Sequence, residues 1–156
     1  AKQLEHCDFV GKLDSILKET GFNAQFLDLK ITESIMQNTC ESIEVLKGIG
    51  EIGAKITLDD FGTGNSSLHI LKELPVNTIK IDKSFIEHIE NVRNKSIIKT
   101  IIDMGINLNL DVVANGIETE KQLKALVKLE CEYGQGYLFA KPEPITSQFE
   151  HCKKLL

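Results

Sequence analysis

No two cysteines stand in a C-x-x-C pair: Cys7, Cys40, Cys131 and Cys152 are scattered through the 156 residues. That spacing argues against a zinc template or a disulfide frame and for reduced thiols. The dipeptides His6-Cys7 and His151-Cys152 could hold a metal only by meeting in space, and their donor spacings match no zinc site. A basic excess is also missing. With 18 Lys and Arg against 23 Asp and Glu, the net charge is −5 and both signs are dispersed, so no electrostatic grip on DNA or on an anionic membrane is expected. Long apolar runs are absent too. "SIIKTIIDMGINL" is interrupted by Lys99 and Asp103, which leaves no membrane-spanning segment. The opening "AKQLEHCDF" does not read as a signal peptide, and a cytoplasmic location is expected. Linkers, low-complexity tracts and close repeats are lacking, so one domain over residues 1–156, 42% apolar, is expected.

What the chain does have is alternation. Phe9, Val10, Leu13, Ile16 and Leu17 recur at helical spacing and Gly21 follows as a stop. "FLDLKIT" (26–32) then alternates with period two, residues 40–53 return to helical period, and "AKITLDD" (54–60) is short and branched. Further helices are expected at 65–74, 84–90, 95–107, 119–130 and 146–155, and further strands at 77–82, 110–115 and 134–139. Strands separated by helices imply parallel β/α units, in a doubly wound sheet or a β/α barrel. A closed barrel takes eight strands and typically ~250 residues. Five strands would make only part of one.

Polar residues collect at the expected strand ends. Glu33 closes the first, Asp59 and Asp60 the second, Lys80 and Asp82 share one face of the third, and Asn115 and Glu118 follow the fourth. That edge is where ligands bind in parallel β/α proteins. Crowded carboxylates repel unless protonated or bridged by a cation. Hard oxygen donors suit Mg²⁺ or Mn²⁺, and one Asp bridging two ions roughly 3.5–4 Å apart is an arrangement that activates water for phosphodiester cleavage. Lys80 could then neutralise charge on a phosphoryl group. Taken singly, the same acids could be helix caps or solvated loop residues. Two short motifs carry no weight. "GIGEIG" (48–53) matches a dinucleotide-binding pattern but ends a helix before a strand, the reverse of the required context. "DFG" (60–62) lacks every companion motif of a kinase.

Five ordered blocks, "LDLKITES", "ITLDDFGTGNSSL", "LPVNTIKIDKSFI", "LDVVANGIET" and "YGQGYLFAKP", resemble the successive signatures of EAL domains, the phosphodiesterases that linearise cyclic di-GMP. The resemblance covers essentially the whole chain. It implies a parallel, TIM-like β/α barrel, here incomplete with about five β/α units and the first strands missing, that binds two divalent cations and cuts cyclic di-GMP to linear pGpG. By the same resemblance Glu33, Asp59 and Asp60 match metal ligands, with Asp59 bridging. Lys80 matches the lysine near the attacking water, and Asp60 and Glu118 join it as catalytic candidates. Gln135, Asp82 and Pro142 fall on the ligand side, and the loop Phe61 to Ser67 on the ligand and dimer side.

Departures from the family pattern bear on activity. The block that names the family, with its glutamate and arginine, is absent, as is an asparagine ligand, and "AKQL" resembles the text that follows that asparagine. Where the family has the first glutamate of its "AEGVE" block, a metal ligand that activates water, this chain has Asn115, an amide that carries no charge and cannot act as a base. The expectation is an EAL-type domain whose parent hydrolyses cyclic di-GMP, with this chain inactive alone. The alternative is a degenerate domain acting as a cyclic di-GMP receptor or protein-interaction module. An open part-barrel with an apolar interior should also self-associate, as a homodimer or swapped assembly. Covalently linked sensory or GGDEF-type domains are compatible with such a parent.

Overall fold

Gly21 adopts the left-handed conformation, with φ of 66°, and there ends the first helix, α1 (Phe9–Thr20), a geometry glycine reaches without a Cβ penalty. The computed structural model describes residues 8–32, 40–64, 68–142 and 144. Glu33, Asn65 to Ser67, both His-Cys dipeptides and the expected helix at 146–155 lie outside the described residues. After a single 3₁₀ turn at Ala24–Phe26 come β1 (Asp28–Thr32), α2 (Cys40–Glu51), β2 (Lys55–Phe61), α3 (Leu68–Glu73) and β3 (Thr78–Ile81). They are followed by α4 (Lys83–Glu87), α5 (Val92–Leu108), β4 (Asp111–Asn115), α6 (Glu120–Lys128) and β5 (Tyr133–Gln135).

The five strands form one parallel sheet in the order β1-β2-β3-β4-β5. Each strand lies beside its predecessor, and right-handed crossovers then place every helix on the same face. That order selects a barrel-type winding over a doubly wound sheet, whose strand order would reverse. The helix side of the sheet is apolar: Ile31, Ile56, Leu58, Ile79, Ile81, Val112 and Ala114 are all buried and join one core with Leu46, Ile49, Ile98 and Ile102 from α2 and α5. Gly48 of α2 sits under Val10 of α1, where an added Cβ would meet both Val10 methyls at 3.1 Å. Among the described residues no helix is long and apolar enough to cross a membrane.

The helix expected from Phe9, Val10, Leu13, Ile16 and Leu17 forms as α1, with Phe9, Val10, Leu13 and Leu17 on its packed face and Ile16 56% exposed. Several expectations need correction. Phe26 belongs to the 3₁₀ turn and not to β1, because the Asn23 side chain accepts the Gln25 N–H and caps that turn. The last strand ends at Gln135, and residues 136–139 turn back so that Leu138 N–H donates to the Ile117 carbonyl. The sheet face opposite the helices is also not the apolar surface expected of an opened barrel. Strand alternation puts Asp28, Lys30, Thr57, Asp59, Thr78, Lys80, Asp111 and Asn115 on it. Thr57 is buried there and donates to the Asp28 carboxylate at 2.8 Å.

Candidate functional site

Two carboxylates sit together at the end of β2 because the strand does not stop where the first of them falls. It continues to Phe61 through a register shift between Leu58 and Phe61. Asp60 takes a positive φ of 56° and Gly62 one of 97°, and an irregularity of this kind re-aims side chains at a strand end. The Asp60 N–H donates to Asp59 Oδ1 at 3.1 Å, and the Thr63 hydroxyl donates to the Asp60 carbonyl at 2.9 Å. The loop is thereby closed on itself.

Lys80 of β3 reaches the same place. Its Nζ is 3.8 Å from Asp59 Oδ1. Burial lowers the Lys80 pKa, Asp59 opposes that, and the ammonium of Lys30 on β1 adds to the lowering. Asp60 is held above the usual carboxylate range by desolvation first, then by Asp59 and by Asp82, against a smaller pull from Lys80. Burial works upward on Asp82 as well, but hydrogen bonds from the Ser84 hydroxyl and from the Ser84 and Lys83 N–H groups outweigh it and hold the group low. Asp82 is thus the N-cap of α4, accepting from Ser84 N–H at 2.9 Å.

Beside this cluster, a cavity of about 540 Å³ opens over the ends of β3, β4 and β5. Its wall brings together four of the residues singled out in the sequence, Asn115, Glu118, Gln135 and Pro142, with Lys83, Tyr137 and Lys141. Glycine makes this packing possible. A Cβ on Gly136 would lie 2.0 Å from the Ile117 carbonyl oxygen, and one on Gly116, at φ of 85°, would lie 2.7 Å from Lys83 Cβ. Both the Gly116 and Ile117 N–H groups donate to the Gln135 carbonyl, at 2.8 and 3.0 Å.

The structure therefore gathers Asp59, Asp60, Lys80 and Asp82 in one cluster and Asn115, Glu118, Gln135 and Pro142 in the adjoining cavity. Glu33 follows directly on β1, whose last residue Thr32 pairs with Asp59, and itself lies outside the described residues. Among the described residues no three His, Cys, Asp or Glu side chains converge on a point that could hold a metal ion. The oxygen donors present suit a hard cation, but those described fall short of a full coordination shell. Sequence reasoning missed Gln122. Its Oε1 accepts the N–H groups of Glu118 and Thr119 at 2.8 and 2.9 Å, and its Nε2 donates to the Ile86 carbonyl at 3.3 Å. It closes a capping box with Thr119, and the T-x-x-Q spacing was the available signal. Lys83, Tyr137 and Lys141 were also missed, since nothing local distinguishes them from surface residues.

The EAL domain family matches residues 1–142. The chain is similar to the cyclic di-GMP phosphodiesterase NbdA of Pseudomonas aeruginosa, 40% identical over 155 residues, covering 98% of this chain and 20% of the relative. Among solved structures it resembles the PaMucR phosphodiesterase in complex with cyclic di-GMP, with a TM-score of 0.88 and 35% identity over 94% of this chain and 60% of the other. It also resembles Klebsiella pneumoniae BlrP1 in a manganese and cyclic di-GMP complex, with a TM-score of 0.82 and 27% identity over 90% of this chain and 36% of the other. The chain spans about a fifth of the length of the curated relatives it matches.

Proposed function

From the premise that this chain belongs to the EAL domain family, an incomplete β/α barrel by its five parallel strands, we propose that it is the part of a cyclic di-GMP phosphodiesterase that carries Asp59, Asp60 and Lys80. The parent would hydrolyse one phosphodiester of cyclic di-GMP to give linear pGpG. The observation that carries the reading is the convergence of Asp59, Asp60 and Lys80 from neighbouring strands on one rim, next to a cavity large enough for a nucleotide.

Residues 1–156 act as one unit in this reading. Asp59, Asp60 and Glu33 would hold Mg²⁺ or Mn²⁺, with Asn115 at the edge of the set. Such ions supply an activated water and charge neutralisation when bound. Lys80 places its ammonium, aligned by Asp59, beside the phosphoryl group. Glu118, fixed by Gln122 through its backbone N–H, faces the cavity. Gln135, Pro142 and Asp82 lie on the ligand side. The affinity of relatives for cyclic di-GMP, the divalent ion in one of them and the polar interior face all support this assignment.

Activity of the chain alone is not expected. It lacks the family's first glutamate and its asparagine ligand, and it carries Asn115 in place of a carboxylate. A missing positioned base typically costs ~10²–10⁴ in rate. Incubation with cyclic di-GMP and Mn²⁺, followed by chromatography for pGpG, should yield no linear product, and clear turnover would refute the inactivity. Calorimetric binding of cyclic di-GMP without turnover would favour the second reading, a receptor or interaction domain, which Asn115 supports. The chain is further proposed to work in the cytoplasm, attached to sensory or GGDEF-type domains. Among the described residues β1 and β5 are the outer strands of the sheet, and a homodimer or swapped assembly that pairs them is part of the proposal, to be checked by sedimentation.

A further inference from the structure

Asn115 is the only asparagine of the chain followed by glycine, and asparagine is among the chemically labile residues. The reason this step is the weak one is steric. Attack of the next residue's backbone nitrogen on the asparagine Cγ closes a cyclic imide, and a Cβ on that next residue obstructs the approach. Position 116 has no Cβ, and the fold admits none: Gly116 has φ of 85°, and an added Cβ would lie 2.7 Å from Lys83 Cβ. Packing thus keeps the reactive dipeptide in place.

The electrophile is free and the nucleophile is guarded. The carboxamides of Asn23, Asn77, Asn91 and Asn94 are each tied by a hydrogen bond, whereas that of Asn115 has none among the described residues and lies on the wall of a cavity of about 540 Å³ that water can enter. The Gly116 N–H, by contrast, donates to the Gln135 carbonyl at 2.8 Å, and the same carbonyl accepts the Ile117 N–H at 3.0 Å. This guard is a weak one. It stands beside the last pair of the β4–β5 ladder, Asn115 with Gln135, and β5 is an outer strand of three exposed residues. Such an edge opens locally at a cost well below that of global unfolding.

We propose that Asn115 is a site of spontaneous covalent modification, at which local release of β5 lets the Gly116 nitrogen attack the Asn115 side chain and convert its amide to a carboxylate. In the first step the Gly116 N–H gives its proton to hydroxide, the nitrogen forms a bond to Cγ, and the bond from Cγ to the amide nitrogen breaks with loss of ammonia. In the second, water adds to one carbonyl of the imide. Cleavage at Cγ yields aspartate, cleavage at the main-chain carbonyl yields isoaspartate, and no atom changes oxidation state. Either product adds one negative charge to the net −5. It arrives beside Glu118 on a wall that also carries Lys83 and Lys141, so like charge does not exclude it. The site touches the phosphodiesterase reading in one respect: aspartate at the end of β4 puts an acid where that reading has a neutral amide.

The whole chain is held folded at neutral and at mildly alkaline pH while peptide mass spectrometry follows the exchange of NH2 for OH at every asparagine, with isoaspartyl methyltransferase labelling to detect isoaspartate. Asn115 should be modified ahead of all the others, at a rate that rises with hydroxide. In urea it should react about tenfold to a hundredfold faster, because unfolding removes the two hydrogen bonds to Gln135 at ~1 kcal/mol each. Asn115→Gln, whose longer side chain closes an imide far more slowly, should stay unmodified while the other asparagines age as before. Modification of Asn115 no sooner than that of the other asparagines, or a folded rate equal to the rate in urea, overturns the proposal. If Asn115 converts but Asn115→Asp binds Mn²⁺ no better than the unmodified chain, the cation set of the phosphodiesterase reading fails and the modification site stands. If Asn115→Asp tightens Mn²⁺ but the amide never converts, the modification site alone falls.

Discussion

Lys80 Nζ stands 3.8 Å from Asp59 Oδ1, with the lysine side chain 7% exposed and the aspartate 23%. The pair is unequal. Asp59 can be hydrated from the rim, while Lys80 has given up most of its water and relies on Asp59 for compensation. Removal of the acid alone therefore leaves a buried charge unpaired. Asp59→Asn should destabilise the chain by about 1–3 kcal/mol in urea unfolding at pH 7. Lys80→Met, which removes the charge and keeps the stem volume, should cost less. The folded-state pKa of Lys80 lies below its ordinary value, so the penalty is fully present below that lowered pKa. It is relieved as pH rises towards the unfolded lysine value. Loss of Asp59 lowers the Lys80 pKa further, and the deficit of Asp59→Asn should shrink as pH rises towards the ordinary lysine value. A deficit that grows with pH, or a costlier Lys80→Met, would show that Asp59 does not compensate Lys80.

Two glycines allow a second prediction, because they are required for different reasons. At Gly21 nothing lies within 4 Å of an added Cβ, and only the φ of 66° is unfavourable. At Gly136 a Cβ would sit 2.0 Å from the Ile117 carbonyl oxygen and 2.3 Å from its nitrogen, both backbone atoms that cannot rotate away. Gly21→Ala should cost about 1–2 kcal/mol. Gly136→Ala should cost about 3 kcal/mol or more and release the turn over residues 136–139 from Ile117. Urea midpoints rank the two, and equal costs would mean that the Gly136 contact yields.

How far the fold could be read from the sequence depended on the kind of signal. Period two in "LDLKIT" and branched residues in "AKITL" marked the strands because both follow from burial of one face. The strand order, and with it the choice of a barrel winding, is a property of pairing and has no local signature. Asp59, Asp60 and Lys80 were legible as site residues because chemistry-bearing side chains at parallel strand ends must converge. Ile16 fits the helical period and is still exposed, because apolar periodicity marks the face a helix could bury and only packing decides how wide that face is. The polar interior was missed for a related reason. Thr57 looks like an interruption of an apolar strand until alternation places it on the face away from the helices. Gln122 does its work through backbone groups of Glu118, Thr119 and Ile86, partners that the sequence does not name.

Asn115 is where the chain can be moved along the axis from weak to strong metal binding. It is the last residue of β4, half-buried, paired in register with Gln135, and it shares the cavity wall with Glu118. An amide offers one neutral oxygen to a cation, while a carboxylate in the same place offers charge and a second oxygen. Asn115→Glu should therefore tighten Mn²⁺ binding on the order of tenfold, read by calorimetry or by the loss of the free-ion paramagnetic signal. Asn115→Gln, with the same length and no charge, should leave it unchanged. Without metal, Asn115→Glu should change stability little, since the new carboxylate joins Glu118 on a wall that also carries Lys83 and Lys141. Addition of Mn²⁺ should stabilise Asn115→Glu more than Asn115→Gln. If Asn115→Glu binds Mn²⁺ no better than Asn115→Gln, the cavity wall at the end of β4 lies too far from Asp59 and Asp60 to share an ion with them.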